Sequence, residues 1–295
     1  MYTVQQLAPS ELAQFSRLAF PQHRPMLLSG DVEPGFVAIG AKLFGQPVGL
    51  AFAGSKDSPG VARLEFCMVD PRQRRAGVGT ALLEALESVA RNLYGGLEAR
   101  YLDDPALDRL FAKSGWSAPE ALLLSCTSDV DTLSSAPWMQ ICQFPPEYEV
   151  LPWVDVTEAE KAAMLDSQRK NPWFPELLSP FDDKRPKEPI TSLALRYRGE
   201  IVGWSTVEVI GGDTLRGAKQ FVRKDLQATG RSIMLVMHSL QRVPLTGLKK
   251  LIFDVPLEYP RMIRFVSRRF KPYLLSIRTL YGRTKELSQN ARAAA

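Results

Sequence analysis

The chain has 295 residues, 45% of them hydrophobic, which is enough for one or two buried cores at ~100–200 residues per domain. Its net charge is +5, from 37 Lys and Arg against 32 Asp and Glu, a mild excess that suits a polyanionic ligand without calling for nucleic acid. No apolar run approaches the ~20 residues that span a bilayer, and three cysteines (Cys67, Cys126, Cys142) with two histidines (His23, His238) give neither a disulfide framework nor metal-ligand spacing.

In chain order, Pro9–Phe20 reads as a helix with Ser10 as a candidate N-cap. The following Phe20-Pro-Gln-His-Arg-Pro25 is a loop whose His23 is either a solvated side chain or a base. Gly45-Gln-Pro-Val-Gly49-Leu-Ala-Phe52 has the form of a tight turn entering a strand. Val61–Val69 is apolar and β-rich, and Pro71 ends it. Glu65 is an unusual carboxylate in that strand. A period of two puts it on one face with Cys67 and Val69, where it either acts as a base or pairs with Arg63 at the surface.

Behind the strand comes Arg74-x-x-Gly77-x-Gly79, then a helix from Thr80 to about Leu93 with Leu82, Leu86, Val89 and Leu93 at helical spacing. The glycines let the backbone turn tightly and approach a ligand, and the first helical N–H groups have no partners of their own. Such a loop suits a pyrophosphate. It is neither a P-loop nor a dinucleotide fingerprint, since position 82 is Leu and not Gly. Further on, Asp104-Pro-Ala-Leu-Asp-Arg-Leu110-Phe111-Ala-Lys-Ser-Gly115-Trp116 reads as a helix and its exit.

Three landmarks recur at nearly one spacing, which marks an internal repeat. Gly45-Gln-Pro-Val-Gly49 returns as Gly199-Glu-Ile-Val-Gly203, 154 residues later (45 to 199). Val69…Gly77-Val-Gly79 returns as Val222…Gly230-Arg-Ser232, 153 residues later (69 to 222). Leu110-Phe111 aligns with Arg264-Phe265, 154 residues later (110 to 264). The chain is therefore expected to hold two copies of one α/β fold, residues 1–130 and 145–295, joined through the turn-rich Ser128–Pro146. Trp138–Phe144 reads as a strand near the join. Thr157-x-x-Glu160 has the form of a capping box opening a helix over 157–170. The long loop Asn171–Pro186 carries Trp173, Phe174 and Phe181, which form either a rigid apolar lid or, as the favoured expectation, a contact packed over the other domain. Gln227-Ala-Thr-Gly230-Arg-Ser232 is a degraded copy of the first loop, with Asp225 adding negative charge beside it, and Ser232–Leu240 reads as an amphipathic helix. His238 on that helix reads as structural.

The string Val69-x-Pro71…Arg74-x-x-Gly77-x-Gly79 with the apolar helix behind it resembles motif A of the GNAT N-acyltransferase superfamily. The resemblance is strongest over 43–116 and moderate over 193–281. It implies two tandem units, each a mixed, mostly antiparallel central sheet flanked by helices. It further implies that acetyl-CoA binds the first unit, through the backbone of Cys67, Met68 and Val69 and the loop Arg74, Arg75, Ala76, Gly77, Val78, Gly79 and Thr80, with no metal. The implied activity is transfer of an acetyl group to an amine in a ternary complex. Glu65 is then the candidate base.

In the family a Tyr in the helix after the fifth strand serves as proton donor; the matching residue here is Phe111, which cannot. Tyr101 and Tyr94 are candidate substitutes, each otherwise a core tyrosine. The acceptor is left open among a small amine, an aminoglycoside-like molecule, and a protein N-terminus or lysine. The rival reading, raised by Phe111, is an acyl-CoA-binding or interaction protein without turnover. From Arg261 to Lys285 there are eight Lys and Arg and no Asp or Glu, either a solvated basic face or a patch for an acidic partner. No membrane partner is expected. The opening Met-Tyr-Thr-Val-Gln-Gln lacks a signal-peptide pattern, and a cytoplasmic location is expected.

Overall fold

Alternating apolar residues along short strands, broken by glycine turns and followed by apolar-striped helices, build a mixed α/β architecture. It is described here from a computed structural model covering residues 2–54, 60–140, 143–181, 185–227 and 230–287. The first half runs β1 (Tyr2–Gln6), a 3₁₀ segment (Pro9–Leu18), α1 (Arg24–Ser29), β2 (Val37–Leu43), β3 (Gln46–Gly54), β4 (Val61–Val69), α2 (Val78–Ala90), β5 (Gly96–Leu102) and α3 (Pro105–Lys113). Then follow β6 (Glu120–Asp129), α4 (Val130–Ser134), β7 (Tyr148–Pro152), α5 (Glu158–Lys170), β8 (Leu193–Tyr197), β9 (Glu200–Val209), β10 (Thr214–Val222), α6 (Lys224–Gln227), α7 (Arg231–Arg242), β11 (Lys250–Pro256), α8 (Pro260–Phe265) and β12 (Ser276–Glu286).

The chain divides into two compact units, Met1–Leu122 with Thr279–Ala295, and Leu123–Arg278. Within the first, the strand order is β1-β2-β3-β4-β5-β12, antiparallel except for the parallel β4–β5 pair. Within the second, it is β6-β11-β10-β9-β8-β7, antiparallel except for the parallel β10–β11 pair. The same plan thus occurs twice. In the first unit the last strand of the plan is not β6, the next in sequence, but β12 from the far end of the chain.

Each sheet is held by apolar clusters. In the first unit, α2 buries Val78, Leu82, Leu83, Leu86 and Ala90 against Ile39, Ala51, Leu64 and Leu97. Each such Leu contributes roughly 1.5–3 kcal/mol. The other face of that sheet packs Leu50, Phe52 and Phe66 against Leu12, Phe15 and Leu27. The close approach of helix to sheet explains Gly49, where a Cβ would lie 2.8 Å from Leu82 Cδ1. Its counterpart Gly203 has no more room, with a Cβ falling 2.8 Å from the Phe221 carbonyl oxygen.

Several sequence expectations need correction. Pro9–Leu18 is 3₁₀, capped at Ala8, whose N–H donates to Glu11 Oε2 (3.1 Å), so Ser10 is not the N-cap. Trp138 lies in a 3₁₀ turn, Pro137–Gln140, and not in a strand. Its ring packs 4.8 Å from Phe270 and its Nε1 donates to the Arg269 carbonyl (3.1 Å). The remainder of the expected strand includes residues 141–142, outside the described residues. Thr157 and Glu160 do form the capping box of α5. The rings of the Asn171–Pro186 loop pack within their own unit, Phe174 buried and Trp173 and Phe181 half-buried: Trp173 and Phe174 lie 5.6 and 5.0 Å from Trp204, and Phe181 lies 6.0 Å from Trp153. Gln168 pins that loop, its Oε1 accepting from the Trp173 and Phe174 N–H groups at 2.9 and 3.2 Å. No helix among the described residues is long and apolar enough to cross a membrane.

The basic run from Arg261 to Lys285 is split. Arg261, Arg264, Arg268, Arg269 and Lys271 are exposed in the second unit, whereas β12 carries Arg283 and Lys285 into the first. Arg283 donates through Nε to the Tyr101 hydroxyl (2.8 Å), through Nη1 to the Ser117 carbonyl (2.6 Å) and through Nη2 to Asp108 Oδ1 (2.9 Å). Lys285 pairs with buried Glu87 at 2.6 Å, and Glu87 also accepts from Trp116 Nε1 (3.1 Å). Removing one member of such a pair strands the other, which costs most where burial is greatest. We expect Arg283→Ala to destabilise the first unit by roughly 3 kcal/mol, read as an earlier chemical-denaturation transition.

Candidate active site

The feature that shapes the first unit's cleft is a β-bulge. In the β3–β4 ladder Phe52 pairs with Phe66 and the next residue, Ala53, pairs with Leu64, so Glu65 is an extra residue without a cross-strand position. The bulge also shifts the alternation. Ala62 and Leu64 face the α2 cluster before it, and Cys67 and Val69 face that cluster after it, while Phe66 and Met68 turn to the opposite face. The expectation that Glu65, Cys67 and Val69 continue one uninterrupted face is therefore corrected. Glu65 sits at the break, half-buried, with Oε1 shielded from solvent. Arg63 forms its ion pair with Glu98 at 2.5 Å.

The parallel β4–β5 register runs from Val61–Gly96 to Leu64–Ala99 and stops at the bulge. From Glu65 to Val69, β4 has no described ladder partner on its β5 side, whereas Arg100–Leu102 of β5 remain paired to β12. Backbone polar groups in such a gap are available for an extended ligand to pair with as an added strand.

At the end of β4 the chain turns through Pro71–Gln73, capped by Asp70, whose Oδ1 accepts from the Arg72 N–H (3.0 Å). Arg74 folds back, its Nε donating to the Val69 carbonyl (3.2 Å). Arg75 has φ 67° and Gly77 φ 82°, so two left-handed residues flank Ala76. Left-handed backbone costs a non-glycine residue ~1–2 kcal/mol, which the loop bears at Arg75 and avoids at Gly77. Gly77 is the N-cap of α2, which begins at Val78 and not at Thr80, and no side chain caps it. Exposed Arg72, Arg74 and Arg75 surround this uncapped positive helix end, a combination suited to a pyrophosphate. Val78 is buried, holding the helix start in place, while Gly79 and Thr80 are half-exposed.

Cys67 packs against the α2 cluster, and burial pushes its thiol up to about 12, which removes it as a nucleophile. Tyr101 is buried, its ring 5.2 Å from Phe111. Its hydroxyl donates to Asp108 and accepts from Arg283. Burial, then the Asp108 hydrogen bond, push the Tyr101 phenol up, while Tyr101 and then Arg283 hold the Asp108 carboxyl below its usual range. Tyr94 donates its hydroxyl to the Gly35 carbonyl. Phe111, in the donor-tyrosine position, packs 4.8 Å from Trp116. His23 lies 5.2 Å from the Phe66 ring, and His238 lies 5.2 Å from Phe144. Among the described residues no group of His, Cys, Asp or Glu is placed to hold a metal.

The second unit repeats the scaffold and changes the chemistry. The β9–β10 ladder is bulged at the matching point, Gly217 pairing with Val207 and Lys219 with Thr206, so Ala218 is the extra residue where the first unit has Glu65. Gly230, φ 74°, is the N-cap of α7, and Gln227 Nε2 donates to the Val222 carbonyl (2.7 Å) as Arg74 does to Val69. There is no carboxylate at the break. Gln220, matching Cys67, ties its amide to the Ser232 carbonyl in the first turn of α7 (3.0 Å). Arg223 pairs with Asp225 at 2.9 Å, so part of the positive charge is neutralised.

Residues 3–116 match the Acetyltransferase (GNAT) family. A tandem GNAT protein of the clavulanic acid biosynthesis pathway superposes with a TM-score of 0.67 at 15% identity, over 98% of this chain and 99% of its own. A GCN5-related N-acetyltransferase from Sphaerobacter thermophilus gives 0.58 at 15% identity, over 97% and 96%. A GCN5-related glucosamine N-acetyltransferase region of a fungal multi-domain β-N-acetylglucosaminidase gives 0.66 at 16% identity, over 96% of this chain and 38% of that one. No curated protein sequence matches significantly. Residues 3–116 thus match an acetyltransferase family whose chemistry is acyl transfer, and the chain as a whole has the fold of these two-unit structures.

The bulge residue was missed as a bulge in sequence; its signal was the one carboxylate in an otherwise apolar strand. For Tyr101 the buried triad fits the core reading, with Asp108 and Arg283 holding the hydroxyl that the candidate donor role would need. Tyr101→Phe should shift thermal unfolding downward while changing kcat less than twofold; a kcat loss above tenfold with unchanged stability would reverse the assignment. The pH signs follow from the two shifts. The Asp108 contribution is complete above ~4 and is lost as pH falls through its lowered value, and the Tyr101 contribution is complete below ~10 and is lost as pH rises through its raised value. In Tyr101→Phe the alkaline loss should vanish, measurable as thermal midpoint against pH.

Proposed function

We propose that the first unit transfers an acetyl group from acetyl-CoA to a primary amine by direct attack, and that the second unit is a scaffold without its own turnover. The observation that carries this reading is the coincidence at one place of the bulge carboxylate, the β4–β5 gap and the uncapped end of α2. Acetyl-CoA fits that geometry as substrate. Its pyrophosphate would lie on the Arg74–Thr80 loop and the N-terminus of α2, and its pantetheine arm would pair with the backbone of Cys67, Met68 and Val69 in the gap.

Glu65 takes the proton from the acceptor ammonium, directly or through one water, so that the neutral nitrogen attacks the thioester carbon. A C–N bond forms and the C–S bond breaks, the electron pair leaving with sulfur and the second proton of the attacking nitrogen passing to solvent. With Phe111 unable to donate and the Tyr101 hydroxyl held by Asp108, the thiolate departs without a dedicated acid and takes its proton from solvent. Placing Glu65 where β4 leaves β5 puts the base beside the thioester end of such an arm.

Two experiments test this. Glu65→Gln should lower kcat by about 10²–10⁴-fold near neutral pH, with acetyl-CoA affinity retained and part of the rate restored at alkaline pH, where the free amine no longer needs a base. Gly77→Glu, which places a bulky anion at a left-handed position, should abolish acetyl-CoA binding in calorimetry while circular dichroism stays unchanged. The wild type should show one site per chain. Two sites would overturn the scaffold reading of the second unit, and binding without CoA release for any amine would favour a non-catalytic acyl-CoA binder.

A further inference from the structure

The uncapped end of α2 has a polar neighbour that its own loop does not supply. Tyr2 opens β1, and its half-buried ring packs with Val4 and Leu43 against the α2 cluster. Its hydroxyl oxygen lies 3.3 Å from where a Cβ on Gly77 would stand. Among the described residues no other side chain outside Gly77's chain neighbours comes within 4 Å of that point. No hydrogen bond ties the hydroxyl to another described residue, and phenylalanine would pack the same surface equally well. An N-cap side chain usually supplies an oxygen that accepts from the first free N–H groups of a helix, and Gly77 supplies none. An anionic oxygen in that place meets the N–H donors of α2 and the Tyr2 O–H together.

The second unit puts the same tyrosine to another use. Tyr148 opens β7 and pairs with Tyr197 as Tyr2 pairs with Leu43, and those partners keep the 154-residue spacing of the repeat (43 to 197). The Tyr148 ring lies 4.6 Å from Tyr197 and 5.7 Å from Phe144, with the Arg231 guanidinium 4.9 Å from its centre. Arg231 follows the N-cap Gly230 as Val78 follows Gly77. A Cβ on Gly230 would meet nothing within 4 Å among the described residues, so the Tyr148 hydroxyl is not at that helix end. The shared scaffold therefore does not by itself bring a tyrosine hydroxyl to the loop.

We propose that Tyr2 is a donor-binding residue of the first unit, its hydroxyl donating a hydrogen bond to a pyrophosphate oxygen of acetyl-CoA on the Arg74–Thr80 loop. The inference rests on the acetyl-transfer reading above. It makes the first strand of the fold part of the site. Exposed Arg72 and Arg75 bring charge on long side chains, whereas Tyr2, held by a strand, places one donor at a fixed point.

Tyr2→Phe tests this in the full chain, since it removes one oxygen and keeps the ring; thermal unfolding checks that the fold holds. Calorimetry should show the Kd for acetyl-CoA and for ADP, which carries the pyrophosphate, each raised about tenfold, the scale of one hydrogen bond to a charged group. KM for acetyl-CoA should rise alike, with kcat within twofold of the wild type. Acetyl-pantetheine, which lacks the pyrophosphate, should serve wild type and Tyr2→Phe with equal kcat/KM. Tyr148→Phe should leave acetyl-CoA affinity unchanged. A change below twofold for acetyl-CoA in Tyr2→Phe, or an equal loss with acetyl-pantetheine, overturns the proposal. If acetyl-CoA binds and no amine is acetylated, the transfer reading fails by itself, and Tyr2 is judged by the two affinities. If ADP binds and acetyl-CoA does not, the ADP affinity of Tyr2→Phe decides; binding of neither to the wild type overturns both.

Discussion

One extra residue in one strand governs the first unit. Without the bulge at Glu65, β4 would stay in register with β5 along its length, and every backbone group from Glu65 to Val69 would be spent on the sheet. With it, the parallel pair ends at Leu64–Ala99, the two strands part, and a strand-shaped vacancy opens within a well-packed fold. The same insertion flips the side-chain alternation, so Phe66 and Met68 serve one face and Cys67 and Val69 the other. The gap, the position of Glu65 and the two faces of β4 thus follow from a single backbone irregularity. Sheet pairing elsewhere, including β5 on β12, keeps the gap from closing by collapse.

Comparison of the two units separates what the scaffold needs from what chemistry needs. Both have the bulge, the left-handed glycine at the helix start, a strand glycine without room for a Cβ, and a side chain reaching back to the last strand carbonyl. These persist because they solve backbone problems common to both copies. What differs is the group at the bulge, Glu65 against Ala218, and the tie from Gln220 to the first turn of α7 where the first unit has Cys67. A change of side chain at the bulge leaves such a backbone plan intact, so the two copies can differ in chemistry and keep one shape.

The sequence was legible where residue type and backbone geometry coincide. Gly77 and Gly230 must be glycines at left-handed starts of helices, so the loop and its copy stood out by spacing alone. Helix α2 was readable from its apolar stripe, although its first turn was placed two residues late, because Val78 lies inside a glycine pair and is read as loop. Glu65 was visible as a carboxylate out of place, but the bulge beneath it depends on pairing with β3 and has no local signature. At Trp138 the sequence reading fails since a half-buried tryptophan fits a strand or a turn equally well, and tertiary contact with Phe270 decides. Least legible was the destination of Arg283 and Lys285. Read in a row, they belong to a basic face; in the fold they meet Asp108 and Glu87, partners from residues 175 and 198 positions away.

That placement has a temporal side. A ribosome releases the chain from one end, and β5 at Gly96–Leu102 emerges long before Thr279 and the strand that pairs with it. At roughly 5–20 residues per second, β5 waits about 10–35 s with one edge unpaired and the Glu87 and Asp108 carboxylates without their cations. During that interval the early half is a nascent sheet with an open flank, exposed to pairing with other chains or to holding by chaperones. Its maturation therefore waits on distant sequence: the first unit, begun early, can be finished only once the β12 residues from Thr279 onward have been made.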